Sequence, residues 1–300
     1  MSSSEPHILH AGCKVNIYLR IVGTRPDGYH ELRSLFLPLA DPRDELYVTR
    51  SEAGPGLVLE CTSPGLSGGN NILHRAFDVF AGETGWRPGV QVRLEKNIPQ
   101  GAGLGGGSSD AAALLTHLNA QCPRQMRLGE DKLIKAAAEV GADVPFFLQH
   151  SPAWVTGIGE RVEPVNLAWS SGWLLTVCPD VQVQTAWAYA AWDREVGLKG
   201  GEPWLTRGEK PDKGSACAAG RVLYNSFERV VFTACPELRD LKLRLLQYGA
   251  KGAVLSGSGA ALVGLFTTEQ ECRRAGQGLE NDQTKVFAQA VDPCWGVAKW

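Results

Sequence analysis

Between Pro99 and Asp110 the chain reads Pro-Gln-Gly-Ala-Gly-Leu-Gly-Gly-Gly-Ser-Ser-Asp, with five glycines in the seven positions 101–107. Glycine lowers stability inside regular structure because it loses the most backbone freedom on folding, so such a run needs a reason. The flanking residues supply one. Val90–Pro99 (VQVRLEKNIP) predicts a strand, and Ser108–Gln121 (SSDAAALLTHLNAQ) predicts a helix. A glycine loop between them lets backbone N–H groups converge on a ligand, and the helix adds free N–H groups and the positive end of its dipole. That is a phosphate cradle. Ser108 and Ser109 are placed to cap the helix and to offer hydroxyls to phosphate or Mg2+. Asp110 suits the dipole but sits awkwardly beside a polyphosphate unless a cation intervenes.

The kind of cradle is narrowed by what surrounds it. No lysine follows the glycines, so the Walker pattern is absent. Gly101, Gly103 and Gly106 fit GxGxxG, but residues 122–133 (CPRQMRLGEDKL) are no strand, which argues against a dinucleotide fold. A second glycine turn, Ser256-Gly-Ser-Gly259, lies between two apolar strands. Locally it reads equally well as a tight hairpin or as a second wall of the phosphate cleft.

The other elements alternate in type. Strands are predicted over 14–22, 31–40, 45–50, 56–61, 172–179, 253–266 (with the glycine turn inside) and 284–291, with shorter ones after 152. Helices are predicted over 70–85 (Asn70 or Asn71 as N-cap), 131–141, 184–192, 235–249 and 267–279. Residues 193–220 are polar and glycine-rich and take no assignment. The order implies an α+β protein whose second half runs β-α-β-β-α-β, with a seam near 165–170. At 300 residues and 44% hydrophobic, the chain has enough for one large or two ordinary domains. A net charge of −2, with no basic run, argues against nucleic acid as a partner. No apolar stretch is long enough for a membrane span, and the first residues (MSSSEPHILHAG) lack a leader's basic and apolar regions. The eight cysteines are scattered and never spaced as CxxC, which points to reduced thiols and a cytoplasmic location.

Two further places have chemistry. Strand periodicity puts Lys14, Asn16 and Tyr18 on one face, which by itself reads as the solvent side of a strand, and Val15 and Ile17 on the other. Asp143 stands in GADVPFFL, where so apolar a setting demands either a partner or a turn-forming role before Pro145. A lysine and an aspartate are what phosphoryl transfer asks for beyond the cradle. The carboxylate accepts a hydroxyl proton and the ammonium orients that hydroxyl and steadies developing charge.

Taken in order, Lys14-Val-Asn16, Pro26-Asp-Gly-Tyr-His30, PQGAGLGGGSSDAA (99–112), Gly141-Ala-Asp-Val-Pro145 and LSGSGA (255–260) resemble the GHMP kinase superfamily. Within it, RPDGYHEL with GADVPFF resembles the 4-diphosphocytidyl-2-C-methyl-D-erythritol kinase family, from about residue 8 to about residue 292. The resemblance implies a two-domain fold. Residues 1–167 would be an ATP-binding domain of the ribosomal-protein-S5-like type, and 168–300 a ferredoxin-like α/β sandwich. It implies transfer of the ATP γ-phosphate, with Mg2+, to the 2-hydroxyl of the cytidylylated methylerythritol in the non-mevalonate route to isoprenoids. Lys14 and Asp143 match the family's catalytic pair. Pro99, Gln100, Gly101, Ala102, Gly103, Leu104, Gly105, Gly106, Gly107, Ser108 and Ser109 match its ATP phosphate loop, and Asn71 and Lys96 match positions near the adenosine. Tyr29 and His30 match the residues that hold the cytosine ring, and Asn16 a contact near the reacting hydroxyl. Thr185 and Tyr189 are counted with the substrate-binding residues, on a looser alignment that has them closing on the nucleotide.

One departure is Gly12-Cys13, where the family often has Pro-Ala; a thiol beside Lys14 is expected to have a lowered pKa and to react with electrophiles. Two alternatives stand beside the leading one. Homoserine or mevalonate kinases share the loop but have no cytosine to grip, and 108–121 lacks the glutamate a mevalonate-type site would want for Mg2+. A silent nucleotide or sugar sensor would not need Lys14 and Asp143.

Overall fold

The computed structural model describes residues 5–149, 151–167, 171–198 and 223–291. Its first sheet is built on a long antiparallel hairpin, β1 (His7–Thr24) and β2 (His30–Arg50). The turn between them is the expected Pro-Asp-Gly: Gly28 has φ +85°, and the Arg25 amide donates to the Tyr29 carbonyl at 2.7 Å. The strand candidates 31–40 and 45–50 are one strand. Pairing jumps from Ala11↔Asp44 to Cys13↔Leu39, so the turn-like Asp41-Pro42-Arg43 is absorbed as a bulge opposite Gly12, whose Cα lies against the Leu39 carbonyl.

β2 changes partners along its length. Residues 32–36 pair with β5 (Ala153–Gly157), and 45–50 with β4 (Gly89–Glu95). β3 (Gly56–Cys61) runs parallel to β4, and β6 (Arg161–Pro164) continues from β5. Four helices complete this half: α1 (Ile72–Thr84), α2 (Gly106–Gln121), α3 (Glu130–Val140) and α4 (Val144–Gln149). Leu73, Phe77 and Phe80 of α1 and Leu114, Leu115 and Leu118 of α2 bury against Leu46, Val48, Val92 and Leu94 of the sheet. α4 is too short to show as periodicity, and its VPFF was legible only as an apolar run.

The second sheet has the order β11-β7-β10-β9, with β7 (Trp173–Pro179), β9 (Gly252–Leu255), β10 (Leu262–Phe266) and β11 (Thr284–Ala290) all antiparallel to their neighbours. With α5 (Thr185–Leu198), α6 (Glu228–Ala234), α7 (Pro236–Gln247) and α8 (Glu269–Leu279) this gives the expected β-α-β-β-α-β arrangement. Part of the unassigned 193–220 stretch, up to Leu198, is α5; residues 199–222, and 168–170 of the seam expected near 165–170, lie outside the described residues.

The sheets share a core in which Cys13, Val15, Ile17, Leu35 and Leu37 meet Leu174, Val254, Val263 and Leu265. A two-residue strand, β8 (Tyr224–Asn225), leaves the second half and pairs with β1 at Tyr18 and Leu19. The Ser226 amide donates to the Leu19 carbonyl at 2.9 Å, and the Asn225 amide group donates to the carbonyls of Leu255 and Gly257, each at 2.7 Å. No helix among the described residues is long and apolar enough to cross a membrane.

Candidate active site

The glycine loop alternates two kinds of residue, and each has a job. Ala102 and Leu104 are buried and tie the loop down: the Ala102 carbonyl accepts from the Ala261 amide at 3.1 Å and the Leu104 carbonyl from the Lys14 amide at 2.9 Å. Between them Gly101, Gly103 and Gly105 take φ of +68°, +77° and +73°, a region that disfavours any residue with a Cβ. At Gly103 the reason is also steric. A Cβ there would sit 2.6 Å from the Ser256 carbonyl and 3.1 Å from that of Gly259. The second glycine turn is the tight connection of the β9–β10 hairpin, and it backs the loop at Gly103. Its Gly257 and Ser258 line a second cavity and not that of the loop.

α2 starts two residues earlier than expected, at Gly106, with Gly105 as its cap. Ser108 and Ser109 consequently do not cap it: Ser108 faces a cavity and Ser109 is buried within the first turn. Asn71 does cap α1, accepting from the Leu73 amide at 3.0 Å. The cavity they enclose has a volume of about 470 Å3 and is lined by Asn70, Asn71, Lys96, the loop from Pro99 to Gly107, Ser108 and Asp110. That volume lies in the range of small-molecule sites.

At its floor lies a cluster the sequence reading missed. The Lys96 ammonium donates to Asp110 at 2.8 Å and to Asp44, so a cation does pair with Asp110 at the cavity. Asp44 is fully buried, and its other oxygen accepts from the amides of Asn97 at 2.6 Å and Ile98 at 2.9 Å. Burial, with the Asp44 charge, pushes Asp110 up to about 7 against the pull of Lys96. For Lys96, burial works against the charged form, but the two carboxylates prevail and hold its pKa above the ordinary value. The signal for Asp44 was present: Asp44, Leu46 and Val48 share strand parity, so the inward face included a carboxylate.

A second cavity, of about 210 Å3, meets the first across Gly103 and Gly105, which line both. Its lining includes Lys14, Asn16, Ser34, Asp143, Thr185 and Tyr189. Lys14 is 4% exposed; its ammonium donates to the Asn16 side chain at 2.6 Å, lies 3.8 Å from Asp143 and sits 4.6 Å over the Phe36 ring. The Asn16 amide group donates to the Ser34 hydroxyl at 2.8 Å, and that hydroxyl donates to the Tyr18 carbonyl at 2.6 Å. Burial lowers the Lys14 pKa, and the Asp143 charge opposes that shift. β1 is therefore buried on both faces, not solvated on the Lys14 side. The expected grouping of Tyr18 with Lys14 and Asn16 fails for a definite reason: pairing slips between Asn16 and Tyr18, and the bulge turns Tyr18 to the core of Val15 and Ile17.

The thiol beside Lys14 is also corrected. Cys13 is 1% exposed, and burial, aided by Cys178 and Asp44, raises its pKa well above the ordinary value although Lys14 pulls the other way. An inert core thiol results.

Thr185 and Tyr189 line the second cavity and not the loop cavity. Thr185 shares a hydrogen bond of 2.8 Å with Ser258. Burial, then Asp143, pushes the Tyr189 phenol up to about 12. The Tyr189 ring stacks on His30 (centroids 4.6 Å, 23°), and His30 Nε2 lies 2.7 Å from Asp193. Tyr29 is on the hairpin tip, 60% exposed and outside both cavity linings. Asp193 and Trp192, whose ring meets His30 edge-on at 5.8 Å, fell in or beside the stretch that sequence alone left unassigned.

Comparison with known proteins gives the family. Residues 71–150 match the GHMP kinases N terminal domain and 212–282 the GHMP kinases C terminal domain. The 4-diphosphocytidyl-2-C-methyl-D-erythritol kinase of Nitratidesulfovibrio vulgaris is 44% identical over 93% of this chain and 96% of its own length. That of Solidesulfovibrio magneticus is 44% identical over 89% and 90%. A crystal structure of 4-(cytidine 5'-diphospho)-2C-methyl-D-erythritol kinase superposes with a TM-score of 0.74 at 32% identity, covering 95% of this chain and 98% of that one. A homoserine kinase of Cytophaga hutchinsonii, at 18% identity and TM-score 0.70 over 97% and 96%, shares the fold. The buried lysine, the paired glycine turns and the extent of these likenesses lead to one conclusion: the chain belongs to the 4-diphosphocytidyl-2-C-methyl-D-erythritol kinase family of the GHMP kinases.

Proposed function

We propose that this protein transfers the γ-phosphoryl group of ATP to the 2-hydroxyl of 4-diphosphocytidyl-2-C-methyl-D-erythritol. The observation that carries the reading is the shared wall: Gly103 and Gly105 separate a glycine-built cavity from one holding Lys14 and Asp143. ATP occupies the first, with Asn71 and Lys96 towards the adenosine and Pro99–Ser109 around the phosphates. The alcohol occupies the second, beside Asn16, Thr185 and Tyr189, with its cytosine near Tyr29 and His30. The hydroxyl oxygen forms a bond to the γ-phosphorus as the bond to the β–γ bridging oxygen breaks. ADP leaves, and Asp143 takes the hydroxyl proton. Lys14, fixed by Asn16 and paired with Asp143, orients the attacking oxygen.

Mg2+ would enter with ATP, held by phosphate oxygens and water with few protein groups. Ser108 fits this role from the cavity lining, and Asp110 does not, being engaged by Lys96. When bound, the ion neutralises the phosphate charge. In this reading residues 1–167 bind ATP and 168–300 close the second cavity through α5. A cytoplasmic location is part of the same reading, supported by the scattered cysteines.

The test is ADP release from ATP and Mg2+ with the cytidylyl substrate, set against mevalonate, homoserine and galactose. Turnover with the cytidylyl substrate alone is expected. Turnover with another alcohol would keep the kinase and discard the cytosine pocket, and ATP binding without turnover on any of the four would favour a sensor.

A further inference from the structure

The Lys96 cluster is built unlike a phosphate-binding lysine. Two carboxylates surround one ammonium, so the group has no net positive charge to offer a polyphosphate. All three side chains are nearly or wholly out of solvent, at 6%, 0% and 3% exposure for Lys96, Asp44 and Asp110. Two directions of the ammonium are fixed by carboxylates while the side chain lines the nucleotide cavity. Asp44 holds more than the lysine. Its Oδ1 gathers the amides of Asn97 and Ile98, where the chain leaves β4 for the glycine loop. Its Oδ2 lies under Gly106, the first residue of α2, where a Cβ would come within 3.3 Å. Asp110, on α2 itself, closes the ring from the far side, and its Oδ1 is buried without a protein partner.

We propose that Asp44 and Asp110 are positioning residues for nucleotide binding: they clamp Lys96 as an oriented, charge-neutralised donor to the uncharged part of the nucleotide, and leave the phosphates to the glycine loop. This rests on the assignment of the larger cavity to ATP. The charge balance argues for it, since a desolvated ammonium shared by two carboxylates contributes direction and little field. The geometry argues for it too, since one carboxylate fixes the strand exit, the lysine and the helix start together.

The experiment is calorimetric binding of adenosine, ADP and a non-hydrolysable ATP analogue, and separately of the cytidylyl substrate, to wild type, Asp44→Asn, Lys96→Met and the double variant. Asparagine at 44 keeps an acceptor for the two amides and removes the charge that holds Lys96. The expected result is about tenfold weaker nucleotide binding for Asp44→Asn, as for loss of one charge-assisted contact. The fold-loss should be the same for adenosine, ADP and the ATP analogue and insensitive to salt, with less than about twofold change for the cytidylyl substrate. The double variant should be no worse than Lys96→Met alone, because Asp44 acts through the lysine.

Losses that multiply in the double variant would overturn the clamp, as would a loss that grows with phosphate number and fades with salt. Equal weakening of both substrates would make Asp44 a merely structural residue, because the loop walls both cavities. Should Lys96→Met not fold, the cycle runs with Lys96→Gln on the Asp110→Asn background, which leaves one buried carboxylate fewer unpaired. Wild-type protein that binds no nucleotide would instead defeat the functional assignment, and calorimetry on wild type separates the two failures.

Discussion

The two cavities are neighbours built from different materials. The cavity of the glycine loop is largely backbone: glycines at positive φ, held by the carbonyls of Ala102 and Leu104. The second is largely side chain: Lys14, Asn16, Ser34 and Asp143, drawn from β1, β2 and the connection before α4, and linked by hydrogen bonds and one ion pair. A backbone site is written locally, because consecutive glycines make it. A side-chain site is written across the chain, because it needs partners more than a hundred residues apart.

The comparison predicts where each cavity breaks. The largest effect is expected at the side-chain site. Asp143→Ala should lower kcat by roughly a hundredfold or more with ATP affinity nearly unchanged, within the usual range for a lost general base. A drop of less than about tenfold would remove Asp143 as the proton acceptor.

The backbone site should fail differently. Gly103→Ala drives a Cβ into the Ser256 carbonyl and adds the strain of positive φ. Both ligands should then bind more weakly, because Gly103 lines both cavities. Gly101→Ala meets nothing within 4 Å and carries only the conformational cost of about 1–2 kcal/mol. Its effect should fall on ATP alone, and titration of each variant with each ligand checks the contrast.

A smaller change is expected at the rim. Tyr29→Ala should raise KM for the cytidylyl substrate several-fold and leave kcat close to wild type, and a fall in kcat alone would end the cytosine-grip assignment. The smallest effect is a pH shift. In the proposed mechanism Lys14 acts as an ammonium, a form present below its pKa and lost as pH rises through it. Burial lowers that pKa, so the alkaline limb of the kcat profile should fall below the ordinary lysine range. Asp143 opposes the shift, so the residual activity of Asp143→Asn should lose its alkaline limb at still lower pH. A limb that moves upward would contradict the pairing.

The same contrast explains what the sequence made legible. The glycine loop, the α1 cap at Asn71 and the β-α-β-β-α-β order follow from local pattern, and the structure contains all three. Lys14 and Asp143 were visible as charges in apolar settings, but their 3.8 Å approach depends on α4 docking with Phe146 edge-on to Phe36 of β2, which no periodicity announces. Three misjudged points have local physical causes. The bulge at Asn16 turned Tyr18 away, burial outweighed Lys14 at Cys13, and α2 began at Gly106 ahead of the expected serine cap. Asp44 went unnoticed because Asp41-Pro42-Arg43-Asp44 resembles an exposed turn, yet the strand runs through it.

The smallest strand has the widest reach. Tyr224 and Asn225 come from the second half of the chain, yet they finish the edge of the first sheet at Leu19 and hold the carbonyls of the second glycine turn. A gene divided at the seam would therefore not yield two self-sufficient pieces. The leading fragment would bear a bare strand edge, and the trailing one would lack the surface on which its own loop is shaped. Such fragments should be silent when expressed singly and recover activity together, a form of complementation in which two residues act as the lock.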